Sequence, residues 1–90
     1  MKTLKDLENS FNSAKEGNFK YIGVLISMQG FEKSELIINR KENFDTKLAY
    51  YKNAYNNDLT LKTFNGIKIV DFAYGNNLDT ITLLLDKEGN

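Results

Sequence analysis

The sequence predicts an α+β domain: a small antiparallel sheet with helices, in the order α-β-β-α-β-β, followed by one C-terminal element that fits a helix or a strand. Three observations lead there. Two segments, Leu4 to Ala14 and Phe44 to Tyr55, repeat apolar residues at the helical period. Runs rich in β-branched and aromatic residues lie between and after them. The connections are short, which favours antiparallel strand pairs with the helices on one face of the sheet. Ninety residues make a single domain, 1–90, because two units of half that length would each be too small to bury a core.

The elements follow in order. Thr3 is a helix cap, with Asp6 three residues on in the place of a capping-box acid. Leu4, Leu7, Phe11 and Ala14 then form one stripe, and Gly17 is the stop signal. Phe19 to Met28 reads as a strand. Ile22, Val24, Ile26 and Met28 share one face, and Phe19, Tyr21, Gly23 and Leu25 the other. Both faces are largely apolar, so this strand is central and covered on part of both sides. Gln29-Gly30 turns the chain into a second strand, Glu35 to Asn39.

Asn43 is the expected cap of the next helix, with Asp45 in its first turn. At 100° per residue, Leu48, Tyr51 and Tyr55 fall within about 40° of Phe44, so these four face the core. Tyr50 falls on the far side. Leu59–Phe64 and Ile67–Tyr74 then flank Asn65-Gly66, the pattern of a type I′ hairpin turn. In the tail, Leu78, Ile81, Leu84 and Leu85 fit a helix capped by Asn77, while Thr80–Leu85 alternates well enough for a strand.

Composition removes most chemistry. The chain has no Cys and no His, which excludes disulfides, thiolate nucleophiles, the usual zinc ligands and imidazole acid–base catalysis. There is no phosphate-cradling Gly motif and no Gly-x-Ser-x-Gly. Asp45-Thr46-Lys47 is a faint echo of a metal-nuclease acid-x-Lys pair, and it also suits an ordinary helix start. These absences point to a protein that is not an enzyme and carries no cofactor or metal. Twelve basic residues balance twelve acidic ones, which argues against a general nucleic-acid binder. Asn39-Arg40-Lys41 and Lys47…Lys52 lie beside aromatics, so a metal-dependent or nucleic-acid-binding activity of surface carboxylates and lysines stays as an alternative.

No apolar run approaches the length of a membrane span, and Met1–Leu7 is too charged for a signal peptide. The expected location is therefore the cytoplasm. Phe, Tyr, Met, Ile, Asn and Lys make up 43 of the 90 residues, against 11 for Gly, Ala, Arg and Pro, a bias that marks an AT-rich genome.

Three segments, Glu35-Leu-Ile-Ile-Asn39, Glu42-Asn-Phe-Asp-Thr-Lys-Leu-Ala-Tyr-Tyr-Lys-Asn-Ala-Tyr55 and Ile67-Lys-Ile-Val-Asp-Phe-Ala-Tyr-Gly-Asn76, resemble small proteins of unknown role carried by phages and mobile elements of AT-rich Gram-positive bacteria. The resemblance covers about a third of the chain and carries no residue roles. Such genes often encode host-defence inhibitors, anti-CRISPR proteins among them, which are short, Cys-poor and non-enzymatic. It implies a protein that acts by occupying the surface of a host protein. The residues supply a matching surface: Tyr50 outside the predicted core and Phe31 on a turn as anchors, Lys47 and Asn53 at the rim. A self-associating structural protein, a homodimer covering one sheet edge, is the other open reading.

Overall fold

The computed structural model describes residues 2–86. The chain runs α1 (Leu4–Glu16), β1 (Tyr21–Met28), β2 (Glu35–Arg40), a 3₁₀ turn (Lys41–Asn43), α2 (Phe44–Ala54), β3 (Thr60–Leu61), β4 (Phe64–Gly75) and α3 (Leu78–Asp86). The four strands form one antiparallel sheet in the order β2-β1-β4-β3. This is the predicted α+β class, and the ambiguous C-terminal element is a helix. No helix among the described residues is long and apolar enough to cross a membrane.

The Thr3 cap forms as read. Its hydroxyl accepts from the Asp6 N–H at 3.3 Å and the Asp6 carboxylate accepts from the Thr3 N–H at 2.8 Å, so both backbone donors are satisfied. α1 buries Leu7, Phe11 and Ala14 against the sheet. α2 then crosses the same face from the β2 edge to the β3 edge, burying Phe44 and Tyr51, with Tyr55 buried just past its end. Phe11 sits at the centre of this layer, edge-on to Phe44 at 5.5 Å and 6.0 Å from Tyr51 between ring centroids. Two ion pairs stitch the helices together: Lys52 to Glu8 at 2.8 Å and Lys15 to Asp45 at 2.6 Å. Lys52 above all, with Lys5, holds the Glu8 carboxyl below its ordinary pKa.

Several expectations need correction. The helices do not share one face. Ile22, Val24 and Ile26 of β1 pack under α1 and α2, while Leu25 packs under α3 with Ile81 and Leu85. The two apolar faces of β1 require this, and Gly23 makes the room: a Cβ there would stand 2.6 Å from Cγ2 of Ile81. Phe19 lies before β1 and joins the α1/α2 core, with its ring 4.9 Å from that of Tyr74. Asn43 makes no side-chain cap: it ends the preceding 3₁₀ turn with φ −109° and ψ 5°, outside the extended geometry from which a capping side chain reaches the N–H groups of the first turn. Gly17 is the C-cap, yet the left-handed residue is its neighbour Asn18, with φ 55°.

Asn65-Gly66 is not the hairpin turn. The chain reverses earlier, at Lys62-Thr63, between the paired residues Leu61 and Phe64. Neither Asn65 nor Gly66 has positive φ. The pairing of β4 with β1 extends past that point, Ile67 opposite Met28 and the Gly66 carbonyl accepting from the Gln29 N–H at 2.8 Å, and this holds the dipeptide extended. The positive φ falls instead on Leu59, at 73°, whose side chain is fully buried at the entrance to β3. Burial of that side chain offsets a backbone strain of about 1–3 kcal/mol.

Candidate protein-binding surface

The structure places the residues singled out in the sequence as follows. Tyr51 and Tyr55 are buried, Tyr50 is 50% exposed and Phe31 is 68% exposed. Helical phase decides the first three: Tyr51 points at Phe11, and Tyr50, one residue earlier, is swung about 100° toward solvent. The Lys47 ammonium, one turn back, stands 5.4 Å from the Tyr50 ring and 5.8 Å from the Tyr51 ring. A cation held over two aromatic faces is attracted by their quadrupoles, and it steadies Tyr50 in one orientation. Asn53 is exposed in the next turn.

Tyr50 packs edge-on to Tyr51 at 5.3 Å and to Tyr55 at 6.4 Å. Burial, with the neighbouring Tyr50 and Tyr51 hydroxyls adding to it, pushes the Tyr55 hydroxyl up to about 12. Burial also raises Tyr51, opposed by its hydrogen bond to the Asn39 amide oxygen, 3.5 Å away. Asn39 is the buried polar residue of β2, and its amide also donates to the Ile22 carbonyl at 3.1 Å. Both shifts favour the neutral phenols, which pack in the α1/α2 layer.

Phe31 reaches the same end of the sheet by a different route. The β1–β2 turn begins where β1 stops, with the Phe31 N–H donating to the Met28 carbonyl at 3.1 Å. The C-terminus of α2 is tied to that end through Lys62, which donates to the Ala54 carbonyl at 2.8 Å, and through Tyr55, which bridges Leu61. Phe64, 51% exposed, pairs with Leu61 at the start of β4, its ring lying over Gly66. The sequence pattern does not single out Phe64, which reads as the last residue of the strand Leu59–Phe64. Its position beside Asn65-Gly66 was the available signal.

The opposite end of the sheet is charged. A groove of about 280 Å³ is lined by Lys15, Asn18, Phe19, Lys41, Glu42 and Phe44. Another of about 220 Å³, lined by Lys20, Tyr21, Arg40, Lys41 and Glu42, shares two of those residues. Arg40 lies over the Tyr21 ring at 5.9 Å. Glu42 faces both grooves and Asp45 already pairs with Lys15, so the local excess of positive charge is modest. Among the described residues no three Asp or Glu side chains stand together as metal ligands. Comparison with protein-family models, with curated proteins and with solved structures finds no match to this chain.

Proposed function

We propose that this chain is a small, non-enzymatic protein-binding module that acts in the cytoplasm by occupying the surface of a protein partner. For a gene carried by a phage or mobile element that partner is a host protein, and host-defence inhibition of the anti-CRISPR kind is the setting that fits. One observation carries the reading: three large aromatics, Tyr50, Phe31 and Phe64, are exposed, Phe31 just past the end of β1, Phe64 at the start of β4, and Tyr50 against Tyr55 at the end of α2 that is tied to β3. Aromatic side chains of this kind bury much area at low entropic cost and dominate interface energies. Tyr50 and Phe31 are the anchors, with Lys47 and Asn53 at the rim.

The grooves lined by Lys15, Lys20, Arg40 and Lys41 favour a second reading, an anionic or single-stranded nucleic-acid ligand. The carboxylates of Glu42 and Asp45 within that end place it second. One experiment separates the two. The tagged protein and its Tyr50→Ala and Phe31→Ala variants are used to capture partners from lysate of an AT-rich Gram-positive host. Both variants should keep the parent's stability within about 0.5 kcal/mol and weaken a captured protein by at least about 1 kcal/mol. Capture that survives both substitutions but is lost in Arg40→Ala, with nucleic acid in the eluate, would transfer the function to the charged end.

A further inference from the structure

The two edges of the sheet are built differently. On the β3 side the edge strand has two residues, and the register shifts within it. Beyond β3 the Phe72 N–H is taken by the Asp71 carboxylate at 2.8 Å, and Asp71 is itself paired with Lys2 at 3.2 Å. Short strands, irregular pairing and inward charges are the means by which proteins stop a sheet edge from recruiting another strand. On the other side β2 offers six residues in unbroken register with β1, without proline or bulge.

The hydrogen-bonding direction of β2 follows from its ladder. The Lys41 N–H donates to the Lys20 carbonyl at 2.9 Å in line with the β1–β2 register, so residues 35, 37, 39 and 41 turn their backbone groups toward β1. Leu36, Ile38 and Arg40 turn theirs outward. The Arg40 carbonyl opens the 3₁₀ turn, which leaves, among the described residues, the N–H and C=O of Leu36 and Ile38 and the N–H of Arg40 for a new strand.

We propose that β2 is a self-association edge: two copies pair antiparallel about a two-fold axis at Ile38, joining their sheets into one. A two-fold axis perpendicular to the sheet keeps each side chain on its own face, so a residue can oppose only itself or one an even number of positions away. Centring on Ile38 uses the outward groups fully. Ile38 N–H meets the Ile38 carbonyl of the second copy, and Arg40 N–H meets its Leu36 carbonyl, each twice. The same register sets the exposed carboxylate of Glu35 opposite Lys41 of the second copy, also twice; Lys41 opens the 3₁₀ turn just past β2, and its ammonium, which donates to Asn18 Oδ1 at 3.2 Å, keeps its charge and further donors for the carboxylate. A two-fold at Ile37 would oppose Glu35 to Asn39 and Arg40 to Ser34, neither an opposite-charge pair. A two-fold at Asn39 would oppose Ile37 to Lys41 and Leu36 to Glu42. Of these three registers only the one at Ile38 sets opposite charges against each other. It also brings Ile38 against Ile38 on the α3 face, where Leu36 and Ile38 are only partly buried, and so extends that thin apolar layer into the second copy.

Sedimentation equilibrium from micromolar to millimolar concentration tests this. The native chain should show a monomer–dimer equilibrium. Ile38→Pro removes an N–H that faces away from β1, a position at which an edge strand accepts proline, and should raise the dimer Kd at least tenfold. Glu35→Lys and Lys41→Glu should each weaken the dimer, and the double exchange should restore it, an outcome that does not depend on the proline variant folding. Amide exchange supplies the location: the Leu36, Ile38 and Arg40 amides should slow as concentration rises. A monomer at every concentration overturns the proposal. So does a dimer whose Ile38 amide exchanges at the monomer rate, or one that the charge exchange fails to restore.

Discussion

The two faces of the sheet make unequal cores. Under α1 and α2 lie ten buried residues, among them Phe11, Phe44, Tyr51 and Tyr55, whose rings contact one another in a continuous cluster. Around α3, among the described residues, only Leu25, Ile81 and Leu85 are buried, and the helix turns Leu83, 71% exposed, to solvent. The difference teaches how a chain of this size divides its apolar residues. The first layer supplies most of the burial on which global stability rests, since the gain scales with apolar area removed from water. The second closes the other face of the central strands with one short helix and leaves apolar surface to spare. Elements with few buried contacts open locally at lower free energy than the rest of a fold.

One pair of substitutions should break the comparison at its two sides. Tyr51→Ala removes the ring beside Phe11 and leaves the Asn39 amide oxygen without its phenol donor, and it should cost about 3–5 kcal/mol of global stability in denaturant unfolding. Gly23→Val drives a branched side chain into Ile81 and Leu85 and should cost about 1–3 kcal/mol. That loss should be local, with faster amide exchange in α3 and little change in α1 or α2. Equal effects throughout the chain would mean that the two layers unfold as one.

Alkali sharpens the same contrast. The folded-state pKa of Tyr55 is raised from 10 to about 12, and that of Tyr51 is raised as well. Folding therefore favours the neutral phenols. The Tyr55 contribution is fully present below pH 10 and is lost as the pH rises from there through about 12, and the raised Tyr51 adds a loss of the same sign. The melting temperature should fall over that window, and the fall should begin in the α1/α2 layer. Replacing Tyr55 with Phe should flatten it.

The smallest expected effect is at Gly66, set against Gly30 at the same aromatic end. Gly30 has φ +92°, and Gly30→Val should cost about 1–3 kcal/mol although nothing stands within 4 Å of a new Cβ. Gly66 has no positive φ, and a Cβ there would meet only the movable ends of the Phe64 and Gln29 side chains. Gly66→Val should cost less than Gly30→Val in parallel thermal melts. A larger loss at Gly66 would return the reversal of the chain to Asn65-Gly66.

Much of this was legible in the sequence because it is local. The Thr3–Asp6 capping box, the Leu4–Ala14 stripe, the phase that buries Tyr51 and exposes Tyr50, and the Gln29-Gly30 turn all depend on residues within a few positions of one another. The site was legible in the same measure: Tyr50 and Phe31 were readable as exposed aromatics, whereas Phe64 was hidden within a strand pattern.

By itself the sequence determined the α+β class, the helix phases, the two-sided apolar character of β1, and the absence of thiol and imidazole chemistry. Each follows from residue type, period or short-range hydrogen bonding. The tertiary structure alone decided the rest. It moved the hairpin reversal to Lys62-Thr63, because pairing with β1 outweighed the local preference of Asn65-Gly66. It sent α3 to the face opposite α1 and α2, and it made β2 an open edge while blunting the β3 side. These depend on which strand lies beside which, and strand order is set by contacts between residues tens of positions apart, which no local pattern encodes.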